Sequence, residues 1–348
     1  MTALAPAPVT LLTGFLGSGK TTVMNTLLRH PGFAHTAVIV NEFGEIGLDH
    51  ELVVSSTESM VLLQSGCLCC AMLGDLVATL RDLSERRDAG ELDYGRVVIE
   101  TSGLADPVPI LHSLLTDRAV AQDFMMDGIV ATVDAATGLQ TLERHAEARH
   151  QVALAERVLL TKTDLPEAQE GAVRRAIAGL NPNAPIQTVT DGDVDPESLL
   201  GLGFFNQQMR SDQIADWLAS QDGTAADDSH LRDIRAVSYV LDTPVTANQF
   251  DFWMDLLMAR CSDDILRMKG LIHLTDIPHP FVVHGVQHIF HPPVLLRDWQ
   301  GADRRSKFVM IVRGLPDAEL DEMFGALRAF PAVEHRFPVG YLSAEAPA

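Results

Sequence analysis

Short apolar runs recur along the first two hundred residues, with longer mixed stretches between them. The runs 9–13, 36–40, 96–99, 128–133, 157–160 and 185–189 show little polar alternation. An alternating strand has one wet face, whereas a continuous apolar run is buried on both, so the pattern predicts a parallel sheet covered by helices. Segments of helical length at 20–29, 73–87, 138–155 and 166–180 fill the gaps and complete a βαβ rhythm. After the polar, acidic stretch SQDGTAADDSHLRD at 220–233 the rhythm changes. Strands are expected at 236–241, 271–274, 281–286 and 307–312, and helices at 247–258 and 317–327. The predicted architecture is an α/β domain over 1–219 with a mostly parallel sheet flanked by helices, a linker over 220–233, and a smaller α+β domain over 234–348.

Length and charge narrow the class. The 348 residues exceed the roughly 250 to 300 at which a single core stops growing, in keeping with two domains. Against 47 acidic residues stand 26 basic ones, and the resulting charge of -21 repels phosphate backbones and anionic lipid heads. Neither nucleic acid nor membrane is an expected partner. Residues 1–8 carry no Lys or Arg ahead of an apolar stretch, and no run of about 18 apolar residues occurs, so the chain is expected to be soluble and cytoplasmic. Three of the four cysteines crowd into positions 67–70, unlike a disulfide scaffold and compatible with a reducing compartment.

The strongest chemical signal is Gly14-Phe15-Leu16-Gly17-Ser18-Gly19-Lys20-Thr21, which matches G-x-x-x-x-G-K-[ST] between a predicted strand and a predicted helix. Its glycines let successive backbone N–H groups face an anion, and the helix N-terminus adds partial positive charge. Lys20 is then expected to reach the β/γ-phosphates and the Thr21 hydroxyl to ligate Mg²⁺. The plain alternative is a Gly-rich turn joining strand to helix.

Further candidates follow the other strands. After 157–160 comes Thr161-Lys162-Thr163-Asp164. A carboxylate there can accept from guanine N1–H and the N2 amino group together, a donor pair that adenine lacks, so Asp164 is the candidate guanine reader. A helix-capping Asp is the competing reading. Thr161 stands where GTPases often carry Asn. Glu100-Thr101-Ser102-Gly103 follows 96–99, placing Glu100 to hold a Mg²⁺-bound water and the Gly103 N–H to meet the γ-phosphate. Asn41-Glu42-Phe43-Gly44-Glu45 follows 36–40 and reads as a nucleotide-sensitive switch in which Glu42 orients water or touches Mg²⁺. Capping or simple solvation is the bland account of both acids.

Gly66-Cys67-Leu68-Cys69-Cys70 offers a soft-metal site. In extended chain Cys67 and Cys69 share a face, while Cys70 points away or bends in. Zinc takes four ligands, so two or three thiolates leave the site incomplete, which suits a carrier that must release its ion. Buried inert thiols or a redox pair are the other readings, and Cys261 reads as core. His273, His279, His284, His288 and His291 crowd one segment, yet their spacing only partly supports chelation, and hydrogen bonding within a β-rich domain or contact with a client protein is the favoured account.

GFLGSGKTT, NEFGEIGLD, GCLCC, ETSGLADP and TKTD stand in the order found in the CobW family of P-loop GTPases, which the chain resembles over nearly its whole length. The segments KGLIH at 269–273 and FVVHGVQH at 281–288 are similar to that family's C-terminal domain. The resemblance implies a metallochaperone or metal-insertion GTPase using GTP and Mg²⁺, handling Zn²⁺ or Co²⁺ and serving a client metalloprotein. It carries over Gly14 to Thr22 as phosphate loop, including Thr22, the three clustered cysteines as metal ligands, and Thr161 to Asp164 as base reader. A nucleotide-regulated interaction module with structural cysteines and a small-molecule kinase are the rival classes. The metal's identity, the client and the oligomeric state are not legible.

Overall fold

A computed structural model of the chain describes residues 5–40, 61–64, 73–199, 201–202, 233–275, 277–290, 293–296, 299 and 303–329. Glu42, Cys67, Cys69, Cys70, His291 and the expected linker up to residue 232 lie outside the described residues. The chain divides into two compact units, 1–178 with 183–203 and 204–348 with the short segment 179–182.

In the first unit, seven described strands form one parallel sheet: β1 (Ala7–Gly14), β2 (Thr36–Val40), β3 (Val61–Gln64), β4 (Arg96–Glu100), β5 (Phe124–Asp134), β6 (Arg157–Thr161) and β7 (Ile186–Thr188). Their spatial order is β3-β2-β4-β1-β5-β6-β7, every pair parallel. β1 is central because successive crossovers carry the chain first to one side of it and then, after β4, to the other. All six apolar runs become strands. β3 is a seventh, which its short run did not separate from the surrounding loop.

Helices α1 (Lys20–Leu28), α2 (Leu73–Asp88), α3 (Val108–Thr116), α4 (Arg118–Asp123), α5 (Gly138–Arg144), α6 (Ala146–Leu154) and α7 (Glu170–Leu180) connect the strands. Val23, Met24, Leu27 and Leu28 of α1 pack on Leu12, Val38, Val98 and Val130 of the sheet. Burying each such side chain contributes about 1.5–3 kcal/mol relative to leaving it exposed.

Two helices differ from expectation. The segment 138–155 is not one helix: His145 is extended (φ -118, ψ 116) and separates α5 from α6. Arg149 Nη1 donates to the Leu142 and Glu143 carbonyls, satisfying acceptors that the end of α5 would leave bare. α7 begins at Glu170 rather than at residue 166. Pro166 disfavours helical backbone at Leu165, and the Gln169 N–H is held by the Ala135 carbonyl at 2.7 Å.

The second unit has an antiparallel sheet of order β11-β10-β9-β13-β8, built from β8 (Ile234–Leu241), β9 (Ile265–Ile272), β10 (Phe281–Val286), β11 (Ile289–Phe290) and β13 (Ser306–Arg313), with β12 (Val294–Leu295) paired to β10. Helices α8 (Ala247–Cys261) and α9 (Asp317–Ala329) share one core with it. Thr246 and Gln249 cap α8 reciprocally. Trp253 is the hub, with ring centroids 5.3 Å from Phe308 and 5.1 Å from Phe324, and its Nε1 donates to the Met323 carbonyl at 3.0 Å. β9 is buried throughout yet contains Arg267 and Lys269, whose charges broke up the apolar run and hid most of the strand from the sequence pattern.

Candidate functional site

Four strands end at one sheet edge with polar groups. Strand register pairs Leu12 with Glu100, Gly14 with Thr132, and Asp134 with Thr161. In an open α/β sheet the carboxyl ends of the strands flank the crevice where ligands bind.

β1 runs into the loop 14–19 and α1 starts at Lys20. Gly19 caps the helix in the left-handed region (φ 94), a conformation that favours glycine. Lys20 is buried and its Nζ donates to the Gly14 carbonyl at 2.9 Å and to the Phe15 carbonyl at 3.3 Å, so the ammonium lies inside the loop's curve. The Ser18 hydroxyl meets that of Thr132 on β5 at 2.6 Å, pinning the loop to the sheet. Gly17 and Thr22 are exposed. The Phe15 ring stacks on His145 with centroids 4.4 Å apart.

The Thr21 hydroxyl donates to Glu100 Oε1 at 3.0 Å. Glu100 is only 5% exposed at the end of β4. One hydroxyl and one carboxylate oxygen at the mouth of a phosphate loop suit a hard cation that prefers oxygen and keeps some of its waters. The next turn is tied back by the Thr101 N–H to the Leu12 carbonyl at 2.9 Å. Gly103 abuts the phosphate loop: a Cβ there would lie 2.6 Å from the Leu16 nitrogen, so no side chain fits.

The base-reading candidates form a braced turn. Thr161 Oγ1 donates to the Ser18 carbonyl at 2.7 Å, joining the end of β6 to the phosphate loop. Lys162 has positive φ (56) and its Nζ meets Asp134 Oδ2 at 2.6 Å. Asp134 also accepts from the Ala136 and Thr137 N–H groups at 2.6 and 3.2 Å. Burial pushes its carboxyl up, but the Lys162 ammonium and these two N–H donors outweigh burial and hold it below the usual carboxylate range. Asp164 is exposed, and its carboxylate makes no hydrogen bond or ion pair with the described residues. With α7 starting at Glu170, it does not cap that helix. Thr163 is partly buried in the same turn.

Asp134 had escaped the sequence reading. The signal was present, since it closes the apolar run of β5 with a carboxylate just as Glu100 closes β4. Among the described residues no group of three His, Cys, Asp or Glu side chains is placed to hold a metal ion. Of the clustered histidines, His273 has its Nδ1 2.8 Å from the Arg304 carbonyl oxygen, whereas His284 is buried on β10 opposite Lys269. No helix of the described residues is long and apolar enough to cross a membrane.

Comparison with known proteins gives matches in both units. The family described as CobW/HypB/UreG, nucleotide-binding domain, matches residues 8–188, and that described as cobalamin synthesis protein cobW C-terminal domain matches 234–328. The zinc chaperone YjiA of Escherichia coli is 34% identical over 323 residues, covering 93% of this chain and 99% of that protein. The zinc-regulated GTPase metalloprotein activator 1 of Schizosaccharomyces pombe is 29% identical over 320 residues, covering 82% and 77%. The crystal structure of Zn(II)-bound YjiA GTPase from E. coli superposes with a TM-score of 0.72 at 29% identity, covering 93% of this chain and all of that one, 100%.

Proposed function

The chain belongs to the CobW family of P-loop GTPases, and from that premise we propose that it is a metallochaperone that binds zinc, hydrolyses GTP and hands the ion to a client protein. The observation that supports the hydrolase most directly is the contact of the Thr21 hydroxyl with Glu100 at the mouth of the loop 14–22, with Asp164 open to solvent past the same edge. Zinc as cargo follows from relatives named zinc chaperone and zinc-regulated GTPase; cobalt is the second ion that the resemblance to the CobW family implies.

In this reading Lys20 exchanges the Gly14 and Phe15 carbonyls for β/γ-phosphate oxygens, and the N–H groups of Gly17, Ser18, Gly19 and Thr22 line the phosphates. Thr21 and Glu100 would hold Mg²⁺. When bound, that ion supplies charge neutralisation at the phosphate oxygens. Gly103 presents its N–H to the γ-phosphate. Asp164 reads guanine while Thr161, Lys162 and Thr163 shape the turn beneath it. Glu42 orients water or touches Mg²⁺.

Cys67, Cys69 and Cys70 are the proposed ligands of the cargo. Strand register supports a coupling between nucleotide and metal: Val40 and Gln64, the strand residues that lead into the Glu42 and cysteine segments, are partners on neighbouring strands. A thiolate zinc site is worth about 10–16 kcal/mol. Shifting occupancy from nearly full to nearly empty takes only about 5.5 kcal/mol of differential affinity. Hydrolysis therefore has to misplace one ligand, not dismantle the site.

The test is a competition titration of zinc, cobalt and nickel on the full chain, with a non-hydrolysable GTP analogue and then with GDP. Tighter zinc binding in the analogue state is expected, with one site lost in the Cys67→Ala/Cys69→Ala protein. Equal affinity in both nucleotide states would refute the coupling, and an unchanged stoichiometry in the variant would refute the site.

A further inference from the structure

Helix α6 sends one side chain into the turn after Glu100. Gln151 is 1% exposed, and its Nε2 donates to the Gly103 carbonyl at 3.2 Å and to the Ala105 carbonyl at 3.1 Å. These carbonyls bracket the turn whose glycine abuts Leu16 of the phosphate loop. The preceding residue of α6 reaches the same segment, with His150 Nδ1 4.0 Å from Asp106 Oδ2, while Asp106 Oδ1 accepts from the Val108 N–H at the start of α3. Residues 103–106 thus run alongside α6 and are held by it at successive points.

The amide's chemistry is one-sided. Both neighbours of Nε2 are acceptors, so the reversed amide would set oxygen against two carbonyl oxygens. The required orientation leaves Oε1 buried with no hydrogen-bond partner among the described residues. An orphaned buried acceptor costs free energy that an apolar side chain of similar volume would not incur. Met would fill the same space and remove that orphaned oxygen, but it would leave the buried Gly103 and Ala105 carbonyls without this donor. What Met lacks is the donor that holds the turn.

We propose that Gln151 is a positioning residue for sensing the terminal phosphate: by donating to the Gly103 and Ala105 carbonyls it holds the turn 103–105 against Leu16, so that the Gly103 N–H meets the γ-phosphate of GTP and has no partner in GDP. The inference rests on the nucleotide-hydrolase reading above. Nothing in it involves the base-reading turn or the phosphate-loop lysine, so GDP binding is independent of it.

The decisive variants are Gln151→Met, which removes donor and orphaned oxygen together, and Gln151→Glu, which replaces the donor by acceptors. On the full chain, affinities for GDP and for a non-hydrolysable GTP analogue, kcat, KM and Tm are compared with wild type. For Gln151→Met the expected result is a folded protein with at most a modest fall in Tm, since one orphaned oxygen is removed but two buried carbonyls lose their donor, together with GDP affinity within about twofold and losses of roughly tenfold in analogue affinity and in kcat, the equivalent of one hydrogen bond. Gln151→Glu is expected to lose more of both. Parallel weakening of GDP and analogue, an unchanged kcat and GDP-to-analogue ratio, or a Gln151→Met protein that does not fold would each make Gln151 a structural residue and overturn the inference. A wild-type chain that neither binds nor hydrolyses GTP would instead sink the underlying hydrolase reading, so the two failures are told apart.

Discussion

Asp164 and Asp134 illustrate how two carboxylates near one turn take different work. Asp164 is exposed and unengaged by the described residues, which leaves both oxygens available to a ligand. Exchanging its acceptor pair for an amide presents a donor where guanine also donates, whereas xanthine offers an acceptor at that position. Asp164→Asn is accordingly expected to prefer xanthosine triphosphate over GTP, and a variant that keeps its GTP preference in a competition assay rules out Asp164 as the reader. Asp134 is buried and already committed to Lys162 and two backbone donors. Its carboxyl is held below the ordinary value, so it stabilises the fold above the unfolded-state pKa of about 3.9, and that stabilisation disappears as pH falls through the lower native value. The Tm gap between wild type and Asp134→Asn should be widest near neutrality and shrink below about pH 4. A gap that stayed constant down to pH 2 would show that Asp134 acts through packing alone.

At the scale of elements, the site is a set of strand ends tied together by side chains. Thr161 closes β6 onto the phosphate loop through one hydroxyl, in place of the Asn that many GTPases use. Thr161→Val keeps the shape and removes both of the hydroxyl's contacts, to the Ser18 and Val133 carbonyls. The two contacts share the hydroxyl's single proton, and one net hydrogen bond is worth about 1 kcal/mol, so a stability loss of about 1 kcal/mol is expected in denaturant unfolding, with weaker binding of GDP and GTP alike. This parallel loss would distinguish Thr161 from Gln151, whose proposed role concerns the triphosphate state alone. Helix ends obey the same logic of local partners. α5 stops where Arg149 can take up its carbonyls, and α7 starts late because Gln169 is bonded to the loop after β5.

For the whole molecule, the quantity that tests the proposed function is a coupling free energy between nucleotide and metal. Such coupling is reciprocal: if the GTP analogue tightens zinc by some factor, zinc must tighten the analogue by the same factor, commonly about 5- to 150-fold. Titrations run in both orders should agree, and a persistent mismatch would mean that a third component or a change of assembly is involved. The formal charge of -21 makes its own contribution at this scale, since a net negative field attracts a divalent cation.

Much of the nucleotide unit was legible in the sequence because its information is local. Doubly buried strands read as unbroken apolar runs, and the phosphate loop requires particular residues at fixed spacing. Lys20, Thr21, Glu100, Gly103 and Asp164 follow such strand ends directly. What local pattern could not convey was partnership across the chain. Thr21 meets Glu100, Thr161 meets Ser18, Asp134 meets Lys162 and Gln151 meets Gly103 only because parallel crossovers bring distant strand ends to one edge. Buried charges on β9 misled the pattern for the opposite reason, since their place in the sheet is set by pairing with β10 and β13 and not by their own hydropathy. Residue type and spacing are properties of the chain, whereas a hydrogen bond depends on distance, which only the packed sheet defines.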